Sequence, residues 1–176
     1  MINLEQLKNE LPDFAKDIKL NLGAVLNESG SADLSQKQID SIALASAYAT
    51  RNKDMITAMT HHASTSLSPE EINGTKAAAT IMAMNNIYYR FTHSMTDQSY
   101  SSMPARLRMN VMTNPGVDKI IFELGSLAVS AINGCSMCMN AHASQLEKAG
   151  ISKQAIQSAI RIASVIHAAA VGREIG

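Results

Sequence analysis

Apolar residues recur every three to four positions along most of this chain and almost nowhere alternate. Between residues 3 and 27 they fall at Leu4, Leu7, Leu11, Phe14, Ile18, Leu22 and Val25. That is the period of a helix with one apolar face. Pro12 lacks an amide donor and crowds the turn before it, so a short first helix and a separate second one are expected. Residues 28–33, ESGSAD, read as a loop. Ser35 and Gln38 have capping-box spacing and open a helix through Ile39, Ile42, Ala43 and Ala47 to about Thr50. The polar run Arg51–Asp54 predicts a turn, followed by a helix over about Met55–Thr65. Ser68-Pro69-Glu70-Glu71 supplies an N-cap, a proline at the first helical position and a glutamate two further on. An Ala- and Met-rich helix follows to about Tyr89, its small residues suited to close packing.

The polar, Ser-rich residues 92–104 predict a surface loop, and Arg106–Thr113 a short helix. After the Asn114-Pro115-Gly116 turn, Asp118 belongs to the first turn of a helix carrying Ile121, Leu124, Leu127, Ala128 and Ala131. Asn133-Gly134 breaks it. The next helix starts near Cys135 and stops at Gly150, a residue suited to the left-handed position past a helix end. Ser152 caps the last helix, which reaches about Val171. No alternating β-branched run of useful length appears, so the fold expected is all-α.

The pattern also repeats. Residues 43–62 can be laid on 123–142, and 67–83 on 151–167, with four residues missing between them in the first copy. Ala43, Met55 and Ala58 then stand where the second copy has Glu123, Cys135 and Cys138, while His62 matches His142. Two similar helical halves are expected, roughly 1–91 and 92–176, with chemistry in the second only. At 176 residues, one domain is the default, able to bury roughly 70% of its unfolded surface.

Charge changes the picture by exclusion. With 15 basic and 15 acidic residues the formal net charge is zero, which gives no reason to expect nucleic acid or an anionic membrane as partner. The N-terminal stretch lacks the apolar core and cleavage site of a signal peptide, and no run approaches 18 uncharged apolar residues. A cytoplasmic protein is expected. Two cysteines in a close pair are no secreted disulfide framework; in a reducing compartment such a pair is redox-active or binds metal.

That pair, Cys135 and Cys138, shares one helical face, and His142 lies one turn beyond Cys138. With Asn133 or Gly134 as cap, Cys135 falls in the first helical turn, where amides and dipole favour a thiolate. Cys138 has His142 instead: a neutral imidazole takes its proton, and the imidazolium then stabilises the thiolate. Glu123, folded back beside His142, would orient the ring and relay a proton. The chemistry would be a dithiol–disulfide cycle in which one thiolate attacks a peroxide or disulfide and the other resolves the product. Two other readings stand beside it: a zinc site from both cysteines, His142 and Glu123, and two inert buried thiols. His61 and His62 cannot both face the core, His93 falls at a loop start, and His167 reads as a hydrogen-bonded core residue. Asn85-Asn86, inside an apolar helix, predicts buried polar pairing.

The chain resembles the AhpD-like branch of the carboxymuconolactone decarboxylase-like family over nearly its whole length. The segments that carry the likeness are LPDFAKDIKLNL, ASAYATRN, IMAMNNIYYR, LRMNVMTNPG and FELGSLAVSAINGCSMCMNAH, with the pattern E-x11-C-x2-C-x3-H matched in full. The resemblance implies an all-helical fold of two similar halves in a homo-oligomer, a trimer or a multiple of it. It implies an antioxidant enzyme without a tightly bound cofactor, a lipoyl-dependent peroxiredoxin that reduces organic hydroperoxides. Dihydrolipoamide on a dihydrolipoyl acyltransferase would be the reductant, with lipoamide dehydrogenase and NADH upstream and an AhpC-type peroxiredoxin as acceptor. By the same likeness Cys138 is the peroxidatic thiol, Cys135 the resolving thiol, and Glu123 with His142 the proton relay; the helix-dipole argument alone favours Cys135 as the more acidic thiol. Carboxymuconolactone decarboxylation is the alternative activity, but it has no use for a thiol pair. Two positions depart from the familiar pattern. Met137 replaces a histidine, which predicts that disulfide exchange survives better than direct peroxidase turnover. Gly125 replaces a tryptophan, which predicts a more open site or one filled by a neighbour.

Overall fold

In the computed structural model, which describes residues 2–176, the helices are α1 (Leu4–Asn9), α2 (Lys16–Val25), α3 (Gln36–Thr50), α4 (Lys53–Ala63) and α5 (Pro69–Ser94). They continue as α6 (Ser99–Ser102), α7 (Asn110–Thr113), α8 (Lys119–Ile132), α9 (Ser136–Lys148) and α10 (Lys153–Ile175). The fold is all-α, with no strand among the described residues. Pro12 separates α1 from α2 through a single 3-10 turn, Asp13–Ala15.

Helix starts follow the side chains that can satisfy free amides. Ser35 with Gln38 and Ser68 with Glu71 form complete capping boxes. Asp118 and Ser152 cap α8 and α10. Gly150, at φ 86°, ends α9 in a Schellman arrangement: its amide reaches Glu147 O, and the Ile151 amide reaches Leu146 O, both at 3.0 Å.

Several boundaries differ from the sequence expectation: the short helix expected over Arg106–Thr113 is confined to Asn110–Thr113, the expected loop 92–104 contains the end of α5 and the short α6, and three longer helices differ at one end. α4 begins at Lys53 because the Asn52 side chain accepts from the Met55 amide. α5 runs to Ser94 rather than Tyr89, anchored by Arg90 Nη1 donating to Asn133 O at 2.6 Å and by buried Thr92. α10 runs to Ile175, where Arg173 pairs with Asp54 and Glu10. His93 is consequently in the last turn of α5, and His167 is exposed on α10 rather than in the core.

The two halves are related by a pseudo-two-fold arrangement. α3 and α8 pack against each other at the centre; α4 packs on α3, and α9 on α8. Each long third helix covers its own first helix and crosses to the other half's: α5 lies on α3 and α8, α10 on α8 and α3. The main core runs through this centre, including Ile39, Ile42, Leu44, Met55, Met59, Leu124, Leu127, Ile162 and Ile166. α10 is long and apolar enough to cross a membrane by length and composition, yet half of its most apolar window is buried inside the bundle, as a core helix requires. Gly125 lies in the same centre. A Cβ there would stand 3.3 Å from Ala45 Cβ and 3.8 Å from Ala78 Cβ, so the glycine lets α8 sit close to α3 and α5. It does not line the cleft described next, so of the two expectations the more open site is not what the glycine produces; neighbouring alanines close on it in a tight helix crossing.

Candidate functional site

α8 ends at Ile132 with Asn133 as its C-cap, and the chain reverses through Gly134 at φ 70°, a conformation that favours glycine. Cys135 is then the N-cap of α9 itself, not a first-turn residue as its spacing predicted. Its Sγ takes the place of the usual capping oxygen and accepts from the Cys138 amide at 3.3 Å. Cys138 sits one turn in, with Cα atoms 5.3 Å apart, and the two sulfurs are joined in a disulfide. The N-terminal amides and dipole of α9 are therefore aimed at these sulfurs, a setting that favours a thiolate on reduction.

Burial distinguishes the pair. Cys135 is fully enclosed, while Cys138 is 6% exposed and reaches a surface cleft of about 280 Å³. One turn further, His142 lines the same cleft at 4% exposure. Its Nδ1–H donates to Glu123 Oε2 at 2.6 Å, so α8 and α9 are tied together by the acid and imidazole that the sequence singled out. Glu123 points inward at 5% exposure, the orientation that helical periodicity left open.

Burial by itself pushes the Glu123 carboxyl up. Hydrogen bonds from His142 and from Lys119, whose Nζ lies 2.9 Å from Oε1, outweigh it and hold the carboxyl below its usual range. Lys119 also donates to the backbone carbonyl of Met112, tying α7 down beside the site. Glu123 borders a second cleft of about 270 Å³ with Lys119, Gln145 and Lys148. The His142–Glu123 pair thus separates two openings: His142 faces the one that Cys138 reaches, and Glu123 faces the other.

The rest of the first cleft comes from elements that the local pattern did not implicate. α5 crosses from the first half and contributes Met82, Asn85 and Tyr89; α7 contributes Met112, and α9 adds Met137 and Ala141. Met82 Sδ lies 3.2 Å from His142 Nε2 and accepts from Ser130 Oγ at 3.4 Å. Asn86 shows the predicted buried pairing, donating to Ser130 Oγ and accepting from Asn133 Nδ2. Asn85 does not share it: its Oδ1 is buried without a partner. The one available sequence signal was the Asn85-Asn86 pair itself. Met137, 44% exposed, stands at the rim.

Among the described residues no group of three or more His, Cys, Asp and Glu side chains is arranged to hold a metal. A dithiol that closes on itself at a helix N-terminus, beside a buried imidazole–carboxylate pair, defines a helical thiol oxidoreductase. Comparison with known proteins agrees. Residues 99–173 match the Carboxymuconolactone decarboxylase family. Over 164 residues the chain is 56% identical to the alkyl hydroperoxide reductase AhpD of Coxiella burnetii (strain Dugway 5J108-111), covering 93% of each chain. It is 52% identical to the protein of that name from Hyphomonas neptunium, covering 96% of this chain and 92% of the relative. For the one from Azorhizobium caulinodans the identity is 49%, over 98% and 94%. The chain belongs to the AhpD group of the carboxymuconolactone decarboxylase family, whose redox-active antioxidant character its joined cysteines share.

Proposed function

We propose that this protein is a cytoplasmic alkyl hydroperoxide reductase that runs on a dithiol–disulfide cycle. The observation that carries the reading is the joined Cys135–Cys138 pair, with Cys138 opening on the cleft that His142 also lines. In the oxidative half, the Cys138 thiolate attacks the terminal oxygen of ROOH. The O–O bond breaks, and the departing alkoxide takes a proton from His142 to leave as ROH. Cys138 then carries a sulfenic acid. The Cys135 thiolate attacks that sulfur, the S–S bond forms, and hydroxide leaves as water after taking a proton. Glu123 keeps Nδ1 of His142 occupied and stabilises the imidazolium, leaving Nε2 to move protons on the cleft side. Its second face, bordering the other cleft beside Lys119, lets protons exchange with solvent away from the substrate.

In the reductive half, a dihydrolipoamide thiolate attacks the disulfide. Its second thiol displaces the mixed disulfide, giving lipoamide and the reduced pair. A lipoylated acyltransferase and lipoamide dehydrogenase would deliver the electrons from NADH, and an AhpC-type peroxiredoxin would receive them. The redox residues lie in the second half, 92–176, of one domain, with α5 of the first half completing the cleft, and a homo-oligomer, a trimer or a multiple of it, fits this reading. No tightly bound cofactor is required.

The test is NADH oxidation driven by an organic hydroperoxide in the presence of lipoamide, lipoamide dehydrogenase and this protein. Wild type turns over, and Cys135→Ser and Cys138→Ser each abolish it. Turnover that survives both substitutions overturns the dithiol mechanism. Met137→His restores a titratable group at the cleft rim and raises the peroxidase rate more than the rate of disulfide reduction; equal peroxidase rates refute that role for position 137.

A further inference from the structure

Asn85 is the odd residue in the cleft. Buried side-chain polar atoms almost always find partners, and one that does not calls for an explanation. Its neighbour Asn86 is fully enclosed and bonded to Ser130 and Asn133. Asn85 is nearly as buried, yet its Oδ1 accepts nothing, and its side chain forms part of the wall that also holds Cys138 and His142. The remainder of that wall is mainly Met82, Met112, Met137, Tyr89 and Ala141. On the pseudo-symmetric helix α10 the matching position is Ala169, fully buried with no polar group. The amide is therefore not needed to pack a long third helix on its neighbours.

We propose that Asn85 binds the hydroperoxide headgroup: its amide, which no protein hydrogen bond holds, turns to bring the buried Oδ1 to the cleft, where it accepts the O–H of the terminal peroxide oxygen while the organic body lies against the methionines. This rests on the reductase reading and names the residue that orients its substrate. A hydroperoxide is the ligand whose chemistry matches the wall, with an apolar body and one O–H donor on the atom to be attacked. A thiol is a weak donor, so dihydrolipoamide gains little from the same acceptor. Holding that O–H leaves the terminal oxygen free on the side facing the sulfur. When the Cys138 thiolate takes the oxygen and the O–O bond breaks, the proton stays on it. The same Oδ1 then accepts from the Cys138 sulfenic acid until Cys135 displaces hydroxide. No added oxidant or reductant is needed beyond ROOH and the dithiol.

The experiment separates the two halves of the cycle in the full-length protein. Reduced wild type and Asn85→Leu are each mixed with cumene hydroperoxide, and disulfide formation is followed by loss of free thiols. The oxidised forms are separately mixed with dihydrolipoamide, and thermal unfolding is recorded for both. Asn85→Leu is expected to slow the oxidative half about 10- to 100-fold, the effect of one lost hydrogen bond to the reacting group. The reductive half stays within about twofold, and the melting temperature does not fall, because no protein hydrogen bond is removed. Asn85→Ala repeats the comparison without filling the cleft, in case leucine prevents folding. An oxidative half as fast as wild type in a folded variant overturns the role of Asn85 and leaves the reductase reading standing. Equal slowing of both halves, or a loss of stability that accounts for the slowing, also overturns it. Wild type that cumene hydroperoxide does not oxidise overturns the reductase reading and this inference together.

Discussion

The protein holds two imidazole–carboxylate pairs in matching places, and only one stands beside thiols. In the second half, His142 on α9 bonds Glu123 on α8. In the first, His62 on α4 lies 3.2 Å from Asp40 on α3. The acids are not at equivalent positions. Glu123 matches Ala43, and Asp40 sits one helical turn earlier, so the first half reaches a similar pairing by another register. The surroundings differ more. Asp40 also accepts from Gln36 and Ser66, which closes it into a local structural cluster. Met55 and Ala58, both fully buried, fill the cysteine positions. Against the matching positions of Met82, Asn85 and Asn86 on α5, α10 carries Ile166, Ala169 and Ala170, which belong to the apolar core. An imidazole–carboxylate pair is thus common scaffold here. Chemistry needs three further things: sulfurs at a helix N-terminus, a cleft that reaches them, and a crossing helix that lines it with something other than core.

The largest expected effect tests whether the two pairs differ in kind. His142→Gln keeps a hydrogen-bonding side chain but no proton carrier, and hydroperoxide turnover falls about 10²–10⁴-fold. His62→Gln leaves turnover per folded molecule within about twofold. Steady-state rates at saturating lipoamide, with the folded fraction measured by unfolding, decide it. Comparable losses in both variants erase the distinction drawn above.

The redox constellation was legible because it is local. Cys135, Cys138 and His142 follow one another along α9, so helical spacing brings them within reach of each other, and Glu123 joins them across a single turn when α8 and α9 fold together. Helix starts were legible for the same reason, since Ser35–Gln38 and Ser68–Glu71 close their boxes within one turn. The cleft was not. Met82, Asn85 and Tyr89 reach it only because α5 crosses onto the other half, and Asp40 meets His62 through packing of α4 on α3. Nothing in a linear pattern records such crossings. The N-cap role of Cys135 was missed by one residue, because a sulfur accepting the capping bond is not among the side chains that announce a helix start. For Gly125 the sequence leaves a more open site or one filled by a neighbour, and only the approach of Ala45 and Ala78 reveals it as a packing residue between helices.

A middle-sized effect concerns what the first pair does. Burial pushes Asp40 up, but the nearby His62 imidazole and hydrogen bonds from Ser66 and Gln36 outweigh it and hold its carboxyl below the usual range. A carboxyl lowered on folding stabilises the fold above its unfolded value near ~3.9, and that stabilisation is lost as the pH falls through the folded value. Asp40→Ala is expected to cost about 2–3 kcal/mol at neutral pH, with turnover per folded molecule unchanged. Its penalty shrinks as the solution is acidified below about pH 4, where wild type has lost the same contribution. Denaturant unfolding at several pH values measures this. A penalty independent of pH removes the charge from the account and leaves only packing.

The smallest expected effect is the sharpest test of the comparison. If two cysteines at this spacing were enough, grafting them into the first half would create a second redox centre. In a Cys135→Ser, Cys138→Ser background, Met55→Cys with Ala58→Cys puts the pair at the matching positions of α4. Three features argue that turnover stays at background. α4 begins at Lys53 with Asn52 as its cap, so residue 55 lies inside the helix rather than at its start. The Ala58 amide, the counterpart of the Cys138 amide, lies inside α4 and belongs to its backbone ladder, so it cannot serve a sulfur as the Cys138 amide does. Both positions are sealed in the core, where an apolar setting raises a thiol's pKa and excludes substrate. The graft costs stability, about 1–3 kcal/mol for the volume lost at Met55, but gives no hydroperoxide-dependent NADH oxidation and no disulfide that dihydrolipoamide reduces. Activity from the grafted pair would mean that His62 and Asp40 are an idle copy of the relay, and that cysteine placement alone separates the two halves.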